Sequence, residues 1–152
     1  MATTRLGNHP LGIILGARSC VVWGMEDQLL QWFDVKQRLR ETQRSEPVVS
    51  DWEIWWVNLG ENIGMEINGK SRDFSRPAVI FKKLSCQFYL VIPTTTKPRI
   101  GSWFVPIHHE GRDMWVCLHQ IRSVDYRRLR SKLGRVNATE ALTIRNTFLK
   151  LL

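Results

Sequence analysis

The spacing of apolar residues changes along this chain, and the change divides it. Trp32, Val35 and Leu39 recur at i, i+3 and i+7, with Lys36, Arg38, Arg40 and Glu41 between them. That spacing puts the apolar side chains on one helix face and predicts a helix over about 26–41, opening at Met25-Glu26-Asp27. Residues 42–50 are polar and contain Pro47, as a linker does. From Asp51 the pattern becomes that of strands. Residues 53–59 are dense in aromatic and β-branched side chains. A long polar loop, 60–75, leads to a second strand at 78–83, and a turn at Leu84-Ser85 leads to a third at 87–92. Pro93 to Pro98 reads as a break in pairing. Further strands are expected at 102–108 and 114–121. Near the end, Asn137 with Glu140 makes a capping-box pattern. Ala141, Ile144, Phe148 and Leu151 then form an apolar helical stripe. The architecture this implies is mainly β, a small barrel or strongly twisted sheet, with a C-terminal helix and an appended N-terminal helix.

Length refines the picture. A chain of 152 residues accommodates one domain, here 51–152, behind an extension, 1–50. No run approaches the roughly 20 apolar residues that span a bilayer. Residues 10–22 are mildly apolar, but Arg18 interrupts them and no small-residue cleavage site follows, so neither a secretory signal nor a membrane partner is expected. Residues 1–24 hold Arg5 and Arg18, no acidic residue and no periodicity; Met25 reads as the natural start and 1–24 as an over-long one. Cys20, Cys86 and Cys117 show no C-x-x-C pair and no zinc spacing. Cys86 and Cys117 read as small buried apolar residues in a reducing, cytoplasmic setting. The net charge of +8 suits nucleic acid or an acidic protein segment, and equally a protein that is simply basic.

Several positions could carry chemistry. Arg76 precedes Pro77, and a residue before proline is pushed into an extended conformation. Its guanidinium, aimed off the end of the loop, could bind a phosphate bidentately and oppose charge growing in a transition state. The commoner fate of such an arginine is to stack on a tryptophan or pair with Glu66. Thr94, Thr95 and Thr96 could bind phosphate or help move a proton, or satisfy local backbone groups. Glu66 could orient Arg76 or serve in acid–base work, or be a solvated loop carboxylate. Gln120, Arg122, Arg127, Arg128 and Arg130 read as a basic stretch after the last strand, able to track a phosphate backbone or to form a charged turn. His108 and His109 point to opposite faces, which suits neither a metal site nor an acid–base pair. His119 lies in the apolar run 115–121 and reads as structural. Of Trp55 and Trp56, one must leave the core, to stack a base or to pack on the N-terminal helix or a second copy.

Taken in order, these pieces resemble the MazF/PemK family of toxins. The matching blocks are Glu53-Ile54-Trp55-Trp56-Val57, Gly64-Met65-Glu66, Arg76-Pro77-Ala78-Val79-Ile80, Ile92-Pro93-Thr94-Thr95-Thr96 and Gln120-Ile121-Arg122-Ser123-Val124-Asp125, with Arg128-Leu129 beyond. Each block is weak alone; the order is specific. The resemblance implies an SH3-like barrel, usually homodimeric, acting as a sequence-specific endoribonuclease on single-stranded RNA and silenced by a cognate antitoxin. It implies catalytic roles for Arg76, Thr95 and Glu66, and RNA contacts from Thr94, Thr96, Lys97, Gln120, Arg122 and Lys70. It implies no metal and no cofactor, because the ribose 2′-hydroxyl supplies the nucleophile and leaves 2′,3′-cyclic phosphate and 5′-hydroxyl ends. Lys70-Ser71-Arg72-Asp73-Phe74 lengthens the first loop relative to compact members. The competing readings are a non-catalytic toxin on the same fold that binds a protein target such as DNA gyrase, and a basic nucleic-acid-binding barrel. Arg76 together with a hydroxyl at Thr95 favours the enzyme.

Overall fold

The computed structural model describes residues 19–152, with side chains from Asp27 onward. Helix α1 (Ser19–Glu41) precedes strands β1 (Glu53–Asn58), β2 (Ser75–Lys83), β3 (Phe88–Thr95), β4 (Phe104–His109), β5 (Arg112–Cys117), β6 (Arg122–Asp125) and β7 (Leu129–Arg135), and helix α2 (Ala138–Leu149) follows. The sheet runs β4-β5-β3-β2-β1-β7, with β6 also on β3. The result is a half-barrel with helices at both ends of the chain, the mainly β fold expected. α1 begins earlier than the predicted start at about 26. Gly24 lies inside it, a local cost the helix tolerates.

β3 is the organising strand. Its first half pairs with β6 and its last residues, Thr94 and Thr95, pair with Val116 and Trp115 of β5. β2 lines the opposite edge, with Ala78 across from Pro93. The expected break at Pro93 is therefore a change of partner, and the strand continues to Thr95. A proline, lacking an N–H, fits where the ladder is handed over.

Two strands went unforeseen. The basic stretch after 120 contains β6 and β7, and β7 pairs with β1 through Trp55–Lys132 and Val57–Leu129. In β7 Leu129 is buried while Arg130, Ser131 and Lys132 are exposed, so its charge resembles that of a loop.

Both faces of the central strands are covered, which explains their near-continuous apolar sequence. Ile54, Val79, Ile92, Val116 and Leu118 form one core with Ala141 and Ile144 of α2. Trp55, Val57, Ile80, Tyr89, Val91 and Leu129 form the other. Trp56 is the member of the tryptophan pair that leaves the core. Asn137 caps α2 by accepting the Glu140 N–H at 2.8 Å. The Glu140 carboxylate does not return the bond to Asn137; it accepts the His108 N–H of β4 at 2.7 Å and so ties the helix to the sheet.

α1 packs on the first loop rather than on the sheet. Trp32 and Val35 are buried with Phe74. Trp32 also stands beneath the Arg128 guanidinium, 5.4 Å from its ring centre. The linker is a strap: Arg44 donates to the Tyr126 carbonyl at 2.8 Å, and Val49 is buried in the second core. Cys117 is buried as expected, whereas Cys86 is exposed, because the β2–β3 turn carries it into solvent.

Candidate active site

Arg76 enters β2 opposite Val57 of β1. Its Nε donates to the Asn68 carbonyl at 2.9 Å and its Nη1 to the Thr94 carbonyl at 3.3 Å. Neither commoner fate occurs: none of the ion pairs among the described residues involves Arg76, and the arginine over Trp32 is Arg128. Burial draws its pKa below the usual arginine value, with the nearby Arg99 adding to that effect. It stays a cation at neutral pH, with its remaining N–H groups unspent.

The loop that supplies the Asn68 carbonyl is tightly built. Ser71 and Phe74 both adopt positive φ, and Lys70 bridges Ser75 through backbone bonds. The Asn62 side chain donates to the Ile67 carbonyl at 2.9 Å, and the Asn62 backbone N–H donates to Asn68 Oδ1 at 2.7 Å. The inserted 70–74 segment is thus a structured turn that anchors Phe74 under Trp32.

Beside Arg76 opens a cleft of about 420 Å³. Glu66, Lys70, Thr95, Lys97 and Gln120 line it with Arg76, so most of the residues singled out in the sequence converge. Thr95 is only 6 % exposed. Its hydroxyl oxygen accepts the Lys97 N–H at 3.2 Å, which leaves its proton to donate. The Glu66 carboxylate accepts the Ile63 N–H at 3.2 Å and does not pair with Arg76. Lys70, Arg76, Lys97 and Arg99 face a single carboxylate here, so the cleft favours a polyanion.

Arg76, Thr95 and Lys70 also line a second cleft, of about 430 Å³, with Thr96, Trp56 and Arg112. Arg76 and Thr95 therefore stand on the ridge between two basic hollows. Thr94 is almost fully buried, and its hydroxyl donates to the Pro77 carbonyl at 2.9 Å, a scaffold bond. Arg122 lies outside the first cleft, on an adjoining shelf, and reaches Asn62 Oδ1 at 3.4 Å.

Sequence reasoning passed over Arg99 and Phe104 and read Cys117 and His119 as structural; all four line the first cleft. His119 is exposed rather than structural: the chain leaves β5 at Cys117 and turns through Leu118–Gln120, which buries Leu118 and turns its neighbour outward. Burial raises the Cys117 thiol pKa, only partly offset by Arg76 and Arg99, so this wall of the cleft is a neutral thiol. Among the described residues, no three His, Cys, Asp or Glu side chains gather to hold a metal ion. Likewise, no described helix is long and apolar enough to cross a membrane.

The sequence model of the family described as "PemK-like, MazF-like toxin of type II toxin-antitoxin system" matches residues 50–152. The chain belongs to this toxin family. Its fold is similar to MazF from Deinococcus radiodurans (20% identity, TM-score 0.58), over 69% of this chain and 96% of that one. It is likewise similar to a MazE–MazF structure from the same organism (19% identity, TM-score 0.54, covering 69% and 95%). A mycobacterial endoribonuclease in complex with its cognate antitoxin matches at 16% identity and TM-score 0.52, over 68% and 93% of the two chains. At such identities these likenesses show the fold. No curated protein sequence matches the chain. The family match begins at the end of the linker, so α1 and the strap lie ahead of the region matched in this PemK/MazF-like toxin.

Proposed function

We propose that this toxin is an endoribonuclease that cuts single-stranded RNA, with the Arg76–Thr95 ridge holding the scissile phosphate. The observation that carries the reading is Arg76 itself. A half-buried guanidinium is fixed by two carbonyls and no carboxylate, beside a free hydroxyl proton, in a cleft of positive charge. A buried cation left without a counter-ion invites one from outside. Arg76 and Thr95 donate to the non-bridging oxygens and stabilise the charge that grows as the ribose 2′-oxygen attacks phosphorus. The bond to the 5′-oxygen breaks, giving a 2′,3′-cyclic phosphate and, after protonation, a 5′-hydroxyl. Glu66 is the carboxylate in reach of the cleft to accept the 2′-hydroxyl proton. The nucleophile belongs to the substrate, so the protein need only position, stabilise charge and move protons, without a metal. DNA lacks the 2′-hydroxyl and is not cut.

The partners follow from the same cleft. A cognate antitoxin silences the enzyme by laying an acidic segment across the basic hollow, where it competes with RNA for the same charge. The toxin acts in the cytoplasm as a homodimer, as the family resemblance implies.

The test is incubation of the purified protein with a long single-stranded RNA in excess EDTA, beside Arg76→Ala. Discrete cuts with 5′-hydroxyl ends, absent from the variant, are expected. Intact RNA from folded wild-type protein would instead favour a non-catalytic toxin that binds a protein target.

A further inference from the structure

The cleft wall carries two rings, Phe104 and His119, that the chemistry above does not use, and Trp103 adjoins them through His119. Trp103, just before β4, is 47 % exposed, whereas Trp32 and Trp55 are buried. A single exposed tryptophan means little. This one is held in place: its carbonyl accepts the Leu118 N–H at 2.8 Å, which pins the β3–β4 loop onto the turn that carries His119. The Trp103 and His119 rings then meet edge to face, with centroids 6.2 Å apart at 72°. Phe104 also packs edge to face on His119, 5.2 Å away at 82°. His119 and Phe104 line the cleft that contains Arg76. The His119 ring nitrogens have no hydrogen-bond partner among the described residues, so they are available to a ligand's edge.

We propose that Trp103 and His119 form a nucleobase platform at the mouth of the cleft. It stacks one base of the RNA on the tryptophan and reads that base's edge with the imidazole, while the neighbouring phosphate sits at Arg76. Lys97 and Arg99, on the same loop as Trp103, are exposed and basic. An aromatic face set among cations suits a base linked to phosphates better than an apolar peptide. The inference rests on the RNA-cleaving reading. Within that reading it names the residues that fix which nucleotide lies beside the cut.

The test uses a single-stranded oligonucleotide that is 2′-O-methylated throughout, which has no 2′-hydroxyl to attack, and a series of it with one abasic position moved along the strand. Trp103→Ala is expected to bind the intact oligonucleotide about 5- to 150-fold more weakly, the loss of one stacked base. Trp103→Phe, which keeps a ring, is expected to recover most of that. One abasic position should weaken wild-type binding by a similar factor and leave Trp103→Ala unaffected. With cleavable RNA, Trp103→Ala should raise KM and leave kcat within about threefold. Equal affinity of wild type and Trp103→Ala, in a protein that cuts RNA, overturns the platform alone. A wild type that binds the oligonucleotide through Trp103 but cuts no RNA overturns the nuclease and keeps the platform. A wild type that neither binds nor cuts overturns both.

Discussion

Gln120 brackets Glu66: its side-chain oxygen accepts the Ile67 N–H at 3.0 Å and its amide donates to the Met65 carbonyl at 3.2 Å. The residue between those anchors is the cleft's carboxylate. The turn after β5 thereby holds the loop before β2, and Gln120 is a positioning residue for Glu66. Gln120→Ala removes both bonds without touching either core. Amide exchange at Ile67 is expected to quicken by about 5- to 30-fold, the equivalent of about 1–2 kcal/mol of lost local protection. RNA cleavage should fall while the urea midpoint stays near that of wild type. Unchanged exchange at Ile67 would show that the loop holds its shape alone.

Arg76 is positioned by the same loop. Its Nε and Nη1 are engaged by the Asn68 and Thr94 carbonyls. Lysine carries the charge but cannot hold those carbonyls and still present a planar pair of donors to a phosphate. Arg76→Lys is therefore expected to slow single-turnover cleavage by about 10²–10³-fold. Its thermal midpoint should fall by no more than about 4 °C, the shift for roughly 1 kcal/mol in a chain of this size. Near-wild-type cleavage by the lysine variant would mean that charge alone suffices.

What the sequence made legible follows from burial. β1 and β2 lie between two cores, so their middles, Ile54 to Val57 and Pro77 to Phe81, are unbroken apolar runs and the strands announce themselves. α2 has one buried face and an Asn137 cap, so stripe and start were both readable. β7 sits at the sheet edge with only Leu129 fully buried, and its charged residues hid it. At the site, Arg76 was identifiable by its place before Pro77, but its freedom from Glu66 was not. That freedom comes with Glu66 accepting the Ile63 N–H and Arg76 held on two carbonyls, partners that residue type does not announce. Asn68 acts through its carbonyl, an atom every residue has. His119 was misread because its neighbours are apolar; the turn that exposes it follows from how β5 ends.

Gly69 should prove the least replaceable residue of the loop. A Cβ there would lie 1.7 Å from the Phe74 carbonyl oxygen and 1.9 Å from its carbon, both backbone atoms that cannot swing aside. Gly69→Ala is expected to cost about 1–3 kcal/mol or more and to displace the Asn68 carbonyl from Arg76, so cleavage should fall with stability. Gly64, in the same loop, is the control. It has φ +61 with nothing within 4 Å of a built Cβ, so Gly64→Ala pays only about 1–2 kcal/mol of left-handed strain. Urea titration of both variants checks the contrast, and equal losses would mean that strain, not contact, dominates.

Glu53 joins β1 to β7 and gives the protein an acid-sensitive seam. Its side chain is 7 % exposed, with Oε1 2.6 Å from Lys132 Nζ. Its other oxygen accepts the Trp55 indole N–H at 2.9 Å and the Ser50 N–H at 3.2 Å. Burial alone would raise its pKa, but Lys132, Trp55 and Ser50 together outweigh that and hold it below the ordinary 4.5. A carboxylate whose folded value lies below its unfolded one binds fewer protons when folded. Its contribution is complete above the unfolded value and drains away as pH falls through the folded one. Glu53→Gln removes the titration and the Lys132 pair. At neutral pH the variant should be less stable by about 1–3 kcal/mol. As pH falls below the ordinary 4.5 the gap should begin to close, and it should go on closing as pH falls through the lower folded value, because the wild type alone loses this term as Glu53 protonates. Urea midpoints of both proteins across that range measure it. A gap that stays constant to the acid end would mean that Glu53 titrates alike in the folded and unfolded chains, and that its value to the β1–β7 seam is packing rather than charge.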